Sequence, residues 1–274
     1  MKPVVPASGG NDVVPGRTCP LDYVYEPAVF DREAEIEGDP LYVIGGLYGN
    51  LQAFAAIERL ALAERTRPTL VFNGDFHWFD ADPAWFREIE HAIAPHAALR
   101  GNIETEITRD SDIGAGCGCA YPPSVDEGTV RHSNQIIDTL RMITPATART
   151  RLARLPMHLV ARIGGLRVGI VHGDAASLAG WRFAHDALDH PQSLEWLNEV
   201  RHASRIDLFA STHTCLAALR AGKVTLPRGT FVRVPAPRGV WRAASAPTAP
   251  RALRLPPRSA SARGVRAAAP ARSS

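Results

Sequence analysis

Residues 41–75 read LYVIGGLYGNLQAFAAIERLALAERTRPTLVFNGD, and this stretch decides the fold. Residues 41–44 are a short apolar run of β-formers broken by Gly45 and Gly46, the pattern of a buried strand ending in a loop. Asn50 is a good N-cap. Leu51, Phe54, Ile57 and Ala61 then recur at three- and four-residue spacing, which predicts a helix with one apolar stripe. Residues 69–72 supply a second strand that ends at Gly74-Asp75. The whole is a β-loop-α-β unit. Its glycines fit neither common phosphate loop, since they lack both the first-third-sixth spacing of a dinucleotide fingerprint and the lysine that closes a P-loop.

Working downstream, Asp82 caps a helix expected to run to Ile93, and residues 97–99 form a short strand leading into Arg100-Gly101-Asn102-Ile103-Glu104. Residues 109–125 are a Gly- and Pro-rich loop holding Cys117-Gly118-Cys119. Helices are expected at 133–143 and 145–153. Strands are expected at 157–163 and 166–171, joined by Gly164-Gly165, a tight hairpin signal. The second strand runs into His172-Gly173-Asp174. Helical patterns follow at 177–188 and 193–203, and a strand at 206–210 ends at Thr212-His213-Thr214-Cys215. Residues 223–226 and 230–234 are two further candidate strands.

Working upstream, residues 1–40 hold six prolines and no sustained period, so they read as an irregular arm: either one packed across the sheet or a loosely ordered extension. The other end is unusual in charge. After Asp207 there is no acidic residue but twelve Lys or Arg, which leaves 19 basic against 28 acidic residues before it, a net of −9. Residues 241–274 are dominated by Ala, Arg, Pro and Ser and are expected to be a disordered basic tail, because they cannot bury enough apolar surface to offset ordering. This tail reads either as a natural extension or as the product of a shifted frame in a GC-rich gene. It lacks interleaved aromatics beyond Phe231 and Trp241, so a solvated tail is favoured over a nucleic-acid contact. No apolar run nears the roughly 20 residues of a membrane span, MKPVVPASGG lacks the long apolar core and cleavage site expected of a signal peptide, and four cysteines set no disulfide framework. A cytoplasmic protein is the expectation, its oligomeric state unreadable.

Asp75, Asn102, His172 and His213 each fall at or just past the C-terminal end of an expected strand, where ligands collect in α/β sheets. One carboxylate, one amide oxygen and two imidazoles suit Zn, Mn or Fe more than Ca. Singly each is ordinary, since Gly-Asp is common turn chemistry and a strand-end His is usually structural. Their order says more. The blocks GLYGN, NGD, RGNIE, VHGD and THTC, over residues 41–216, resemble the motif run of the calcineurin-like metallophosphoesterases.

The resemblance implies a four-layer α/β/β/α sandwich of two mixed sheets over residues 41–240. It also implies two adjacent metals. For one, the matching residues are Asp75, Asn102, His172 and His213, a complete set. For the other they are Gly46, Tyr48, Asp75 and Cys215, so only Asp75 is a certain ligand and Cys215 a possible thiolate. Ile103 stands where the family carries a proton-donating His. His77 and Glu104 are near enough in sequence to replace it, although an exposed loop histidine is the commoner state for His77. Tyr48 could hydrogen-bond a phosphate oxygen or simply pack. Cys117 and Cys119 read as loop structure. The implied activity is hydrolysis of a phosphorylated small molecule with about one divalent ion (Mn, Fe or Zn) per chain. The rival readings are an inactive relative that binds a phosphorylated ligand or a protein, and a nucleic-acid-associated protein using the tail.

Overall fold

A strand without polar alternation must be covered on both faces, and this requirement shapes the chain. The computed structural model describes residues 13–38, 40–188, 190–215, 230–233 and 240–245. A two-residue strand, β1 (Ile36–Glu37), precedes β2 (Leu41–Ile44), all four of whose residues are buried. In α1 (Leu51–Leu62) the Asn50 side chain accepts from the Ala53 amide, and β3 (Thr69–Asn73) follows. The Asp82 carboxylate accepts from the amides of Ala84 and Trp85 to start α2 (Pro83–Ile93). Next come β4 (Ala97–Leu99), α3 (Asn102–Thr108), α4 (Glu127–Ile143) and α5 (Ala146–Ala153). A hairpin of β5 (His158–Ile163) and β6 (Leu166–Val171) leads through α6 (His185–Leu188) and α7 (Pro191–Ser204) to β7 (Leu208–Ala210). Last are β8 (Thr230–Arg233) and β9 (Val240–Ser245).

The chain is mixed α/β with two sheets, ordered β4-β3-β2-β9-β8 and β1-β5-β6-β7. In the first, β2, β3 and β4 are parallel, and β9 joins β2 antiparallel with Tyr42 opposite Arg242. The period of two along β2 sorts its side chains between two apolar clusters. Leu41 and Val43, with Val71 and Leu99, meet Leu159, Ala161, Val168 and Ile170 of the second sheet. Tyr42 and Ile44, with Phe72, meet Ile57, Phe86, Ile89 and Ile137 from helices. Val160 and Val171 contribute to a third cluster with Tyr25, Phe30 and Val200.

The arm resolves in favour of packing over residues 13–38. Tyr23 and Phe30 are fully buried in two short 3-10 turns, and β1 adds to β5 in parallel, Ile36 opposite Ala161. Buried polar bonds fasten it. Tyr23 donates to Glu106 (2.6 Å), Tyr25 to the Asp174 carbonyl (2.7 Å), and Arg32 to His158 Nδ1 (3.0 Å) and the His158 carbonyl (3.1 Å). Glu106 is fully buried in α3 and also accepts from Arg109 (2.9 Å) and Arg141 (3.2 Å).

Three sequence expectations need correction. The pattern at 177–188 is helical only at His185–Leu188; before it, residues 174–180 fold back through a bridge of Asp174 with Ser177. α4 begins six residues early because Asp126 caps it, accepting from Thr129. The boundary at 241 also moves, since β9 is paired with β2 through Ala243 and with β8 through Ser245 and so carries paired chain into the expected tail. The candidate strand at 223–226 and residues 1–12 and 246–274 lie outside the described residues. No helix among the described residues is long and apolar enough to cross a membrane.

Removing the Glu106 carboxylate strands a buried phenol and takes one carboxylate partner from each of two guanidiniums. Glu106→Ala should therefore lower unfolding free energy by about 3 kcal/mol, whereas Arg162→Ala, which breaks only exposed pairs, should change it by less than about 0.5 kcal/mol; denaturant titration separates the two. Acid should weaken the arm. Burial and the Arg32 cation push His158 down to about 4, so below its unfolded pKa of about 6.5 the unfolded chain takes up a proton that the folded chain refuses. Stability is complete above about pH 6.5 and falls towards pH 4. In melting curves across that window, His158→Gln should show a shallower decline than the unsubstituted protein.

Candidate metal centre

Asp75, Asn102, His172 and His213 follow β3, β4, β6 and β7, so both sheets deliver side chains to one edge. Bringing them together requires backbones to touch. A Cβ on Gly74 would stand 2.5 Å from Gly101 N and 2.8 Å from His172 Nδ1, and one on Gly101 would overlap Asp75 Oδ1. Gly74 (φ 75°) and Asp75 (φ 53°) are both left-handed, a state that costs an aspartate energy and turns its carboxylate back towards the sheet edge. Fully buried Glu104 compensates. Its carboxylate accepts from the amides of Asp75 (2.8 Å), Gly101 (2.8 Å) and His77 (3.2 Å), and Asp75 Oδ1 accepts from the Ile103 amide (3.2 Å).

The bonds made by the far side of each ligand candidate fix which atoms face inward. His172 donates from Nδ1 to the Asn73 carbonyl (2.8 Å), leaving Nε2 to face Asp75 Oδ2 and Asn102 Oδ1, both at 3.1 Å. His213 donates from Nε2 to the Cys119 carbonyl (3.0 Å), leaving Nδ1 at 3.1 Å from His172 Nε2. The Asn102 amide nitrogen donates to the Cys117 carbonyl (3.0 Å), so its oxygen points in. Four lone-pair atoms therefore converge. Asp75, His172 and His213 alone place ligand atoms within 4.8 Å of one another, and a tetrahedral ion with bonds near 2 Å separates its ligands by about 3.3 Å. Imidazoles held by backbone carbonyls and aimed at one point beside a carboxylate are how proteins present ligands to a transition metal, so the residues present fit the ion. Burial opposes a charge on His172, but the Asp75 carboxylate outweighs it and holds the imidazole above its ordinary value. Burial and His172 push His213 down to about 4.

The other candidate ligand positions are arranged differently. The Tyr48 ring lies over Gly46, where a Cβ would overlap its Cε1 and Cζ, so an aromatic ring fills the space a side chain at 46 would enter. Tyr48 packs edge-on against Trp78 and Phe79, and its hydroxyl meets Cys215 Sγ at 2.8 Å. Cys215 is thus brought to Tyr48 and lies outside the group of Asp75, His172 and His213. Burial, with Cys215 and Asp75 nearby, raises the Tyr48 phenol well above its ordinary value and keeps it protonated. Ile103 is fully buried in the apolar cluster under the helices.

His77 is neither exposed nor turned to this centre. It is stacked on Phe86 (3.9 Å), with Nδ1 on Asp80 (2.6 Å) and Nε2 on Glu90 (2.8 Å), and Glu90 is also bound by Arg151. Burial alone would lower its pKa, but the two carboxylates override this and raise it to about 9. Both ring nitrogens of His77 and both oxygens of Glu104 are therefore committed to the scaffold.

A cavity of about 680 Å³ opens over Asp75 and His213 and is lined by Tyr48, Trp78, Phe79, Tyr121 and Trp181. Sequence reasoning left out most of this wall, and it read Cys117 and Cys119 as loop structure without the bond between their sulfurs or the carbonyls through which that loop positions Asn102 and His213. The aromatic run Phe76-His77-Trp78-Phe79 beside NGD was a usable signal; Trp181, 62 residues from the Cys119 carbonyl it donates to, gave none.

No family model and no curated protein matches this sequence. Among solved structures, a hypothetical protein from Pyrococcus horikoshii is similar at 16% identity and TM-score 0.45, over 66% of this chain and 70% of that one. A metallophosphoesterase from Sphaerobacter thermophilus is similar at 20% identity and TM-score 0.31, over 50% of this chain and 47% of the other, so this chain spans less than half its length.

If the Tyr48 ring excludes a side chain from position 46, Gly46→Asp should destabilise the fold by roughly 1–3 kcal/mol, the usual cost of overpacking. In a Tyr48→His background the same change should cost less. A double-mutant cycle by denaturant unfolding should give a coupling of at least about 1 kcal/mol; additive effects would place the ring elsewhere.

Proposed function

We propose that this chain is a divalent-metal-dependent phosphoester hydrolase, built on the four-layer α/β/β/α arrangement of the metallophosphoesterases, with one ion of Mn, Fe or Zn held by Asp75, Asn102, His172 and His213. The observation that carries the reading is the convergence of four lone-pair atoms whose outward-facing groups are all tied to backbone carbonyls or amides. A bound ion supplies Lewis acidity towards a phosphoryl oxygen. The chain's own residues do the rest. Asp75 brings the negative charge that retains the cation, and the Glu104 clamp keeps it aimed. Protonated Tyr48, which lines the cavity with Asp75, would donate a hydrogen bond to a phosphoryl oxygen. His77 and Glu104 act as positioning residues here, since their polar atoms are already engaged.

A second reading has its own support. With a Tyr ring over Gly46 and Cys215 bonded to Tyr48, a second ion of the usual pair has Asp75 as its remaining certain ligand, and the clamp on both attacking and leaving oxygens is lost. A protein that binds a phosphorylated ligand without turning it over would have this form.

Metal analysis of the purified protein should find about one transition-metal ion per chain. His172→Ala should lose most of it, and Cys215→Ser should keep it. Metal-dependent release of phosphate from a simple monoester then separates the two readings: turnover supports the hydrolase, and ion and phosphate binding without turnover supports the binding protein. Two tightly held ions per chain would overturn the single-ion site.

A further inference from the structure

We propose that the cavity selects a ligand with one phosphoryl group on a neutral, planar aromatic body, and rejects polyphosphates. This rests on the reading that the cluster at Asp75 holds a cation, and it goes beyond that reading by naming what the rest of the cavity takes.

Two separate aromatic groups make the wall. Tyr48, Trp78 and Phe79 contact one another edge-on, with ring centres 5.9–6.2 Å apart, and Tyr121 lies 6.1 Å from Trp181, which itself packs on His213 at 5.0 Å. Several of these rings are fixed by polar bonds at their edges. Trp181 donates to the Cys119 carbonyl (2.9 Å), Tyr121 meets the Ser133 hydroxyl (3.0 Å), and Tyr48 meets Cys215. Rings held in this way lose little freedom when another ring lies against them. Phe79 is half exposed, an unfavourable state for a phenylalanine that a planar ligand would relieve.

Charge narrows the class. Among the described residues, the lining includes the carboxylates of Asp75 and Asp126 and no Lys or Arg. One phosphoryl group has its countercharge in a cation at the Asp75 cluster. Among the described lining, a second or third phosphate along a chain would meet carboxylate and aromatic faces, the hydroxyls of Thr129 and Ser133 and one imidazole, His132, with no guanidinium or ammonium to replace its hydration. The volume of about 680 Å³ suits an aromatic body of one to three rings.

The test uses the full chain loaded with Mn and non-hydrolysable probes, read by fluorescence of the wall residues Trp78 and Trp181, so that it needs no turnover. Phenylphosphonate should bind about tenfold or more tighter than methylphosphonate, and 2-naphthyl phosphonate at least as tightly. Imidodiphosphate should bind more weakly than phenylphosphonate. Phe79→Ala, at a half-exposed position where folding is little affected, should reduce the phenyl-to-methyl ratio at least threefold with an unchanged melting temperature. Equal binding of phenyl and methyl probes, tighter binding of imidodiphosphate, an unchanged ratio in Phe79→Ala, or no binding of any probe would overturn the proposal. Selective phenyl binding by a protein that hydrolyses no phosphate ester would uphold it while removing the hydrolase reading.

Discussion

The contact between the backbones of Gly74 and Gly101 is the constraint on which the rest of this molecule depends. Two parallel strands end there with nothing larger than hydrogen between them, so the carboxylate of Asp75, the amide of Asn102 and the imidazole of His172 can share one small volume. The approach is unfavourable in itself, because it closes Gly74 and Asp75 into left-handed conformations and buries backbone amides. Glu104 offsets this cost. A fully buried carboxylate that accepts from three amides on two strand ends is more than a cap of α3; it is the bracket that keeps both ends at one distance. Buried anions need compensation of this kind, and the compensation supplies rigidity where ligand atoms have to be aimed.

Around that bracket the chain carries aromatic packing. Positions 46, 48 and 103, where the motif resemblance leads one to expect a carboxylate and two imidazoles, hold a glycine, a tyrosine and a fully buried isoleucine. The residues at 46 and 48 act together. The Tyr48 ring occupies what a side chain at 46 would need, leans on Trp78 and Phe79, and closes on Cys215. What remains is an asymmetric site, one flank ionic and the other a wall of rings.

Local signals were legible where the chain speaks for itself. Asn50 and Asp82 announced their helices because a cap is a contact within three residues, and the strand at 41–44 was plain because a run covered on both faces needs no partner to be recognised. Asp75, Asn102, His172 and His213 were picked out by their places after strands together with the order of the blocks that carry them. His77 was not legible. Its partners, Asp80 and Glu90, are close in sequence, but only the return of α2 over the loop turns an expected exposed histidine into a buried one held by two carboxylates. The helix expected at 177–188 failed for a related reason: Gly173 and Gly180 meet across the turn, and Asp174 satisfies the amides of Ala176 and Arg182. Trp181 and Tyr121 reach the cavity from loop and turn positions for which no period exists.

The arm has a consequence for the order in which the molecule is made. Ile36 pairs with Ala161, Tyr25 binds the Asp174 carbonyl, and the free side of β2 is taken by a strand that begins at Val240. A ribosome delivers these segments well before their partners. Through most of synthesis the arm has nothing to dock on and β2 has an unpaired edge, and closing such long loops costs entropy before any contact repays it. Residues 13–38 thus emerge before the segments that secure them. During that interval the open edge of an all-apolar strand is exposed to any other nascent chain with an edge of its own.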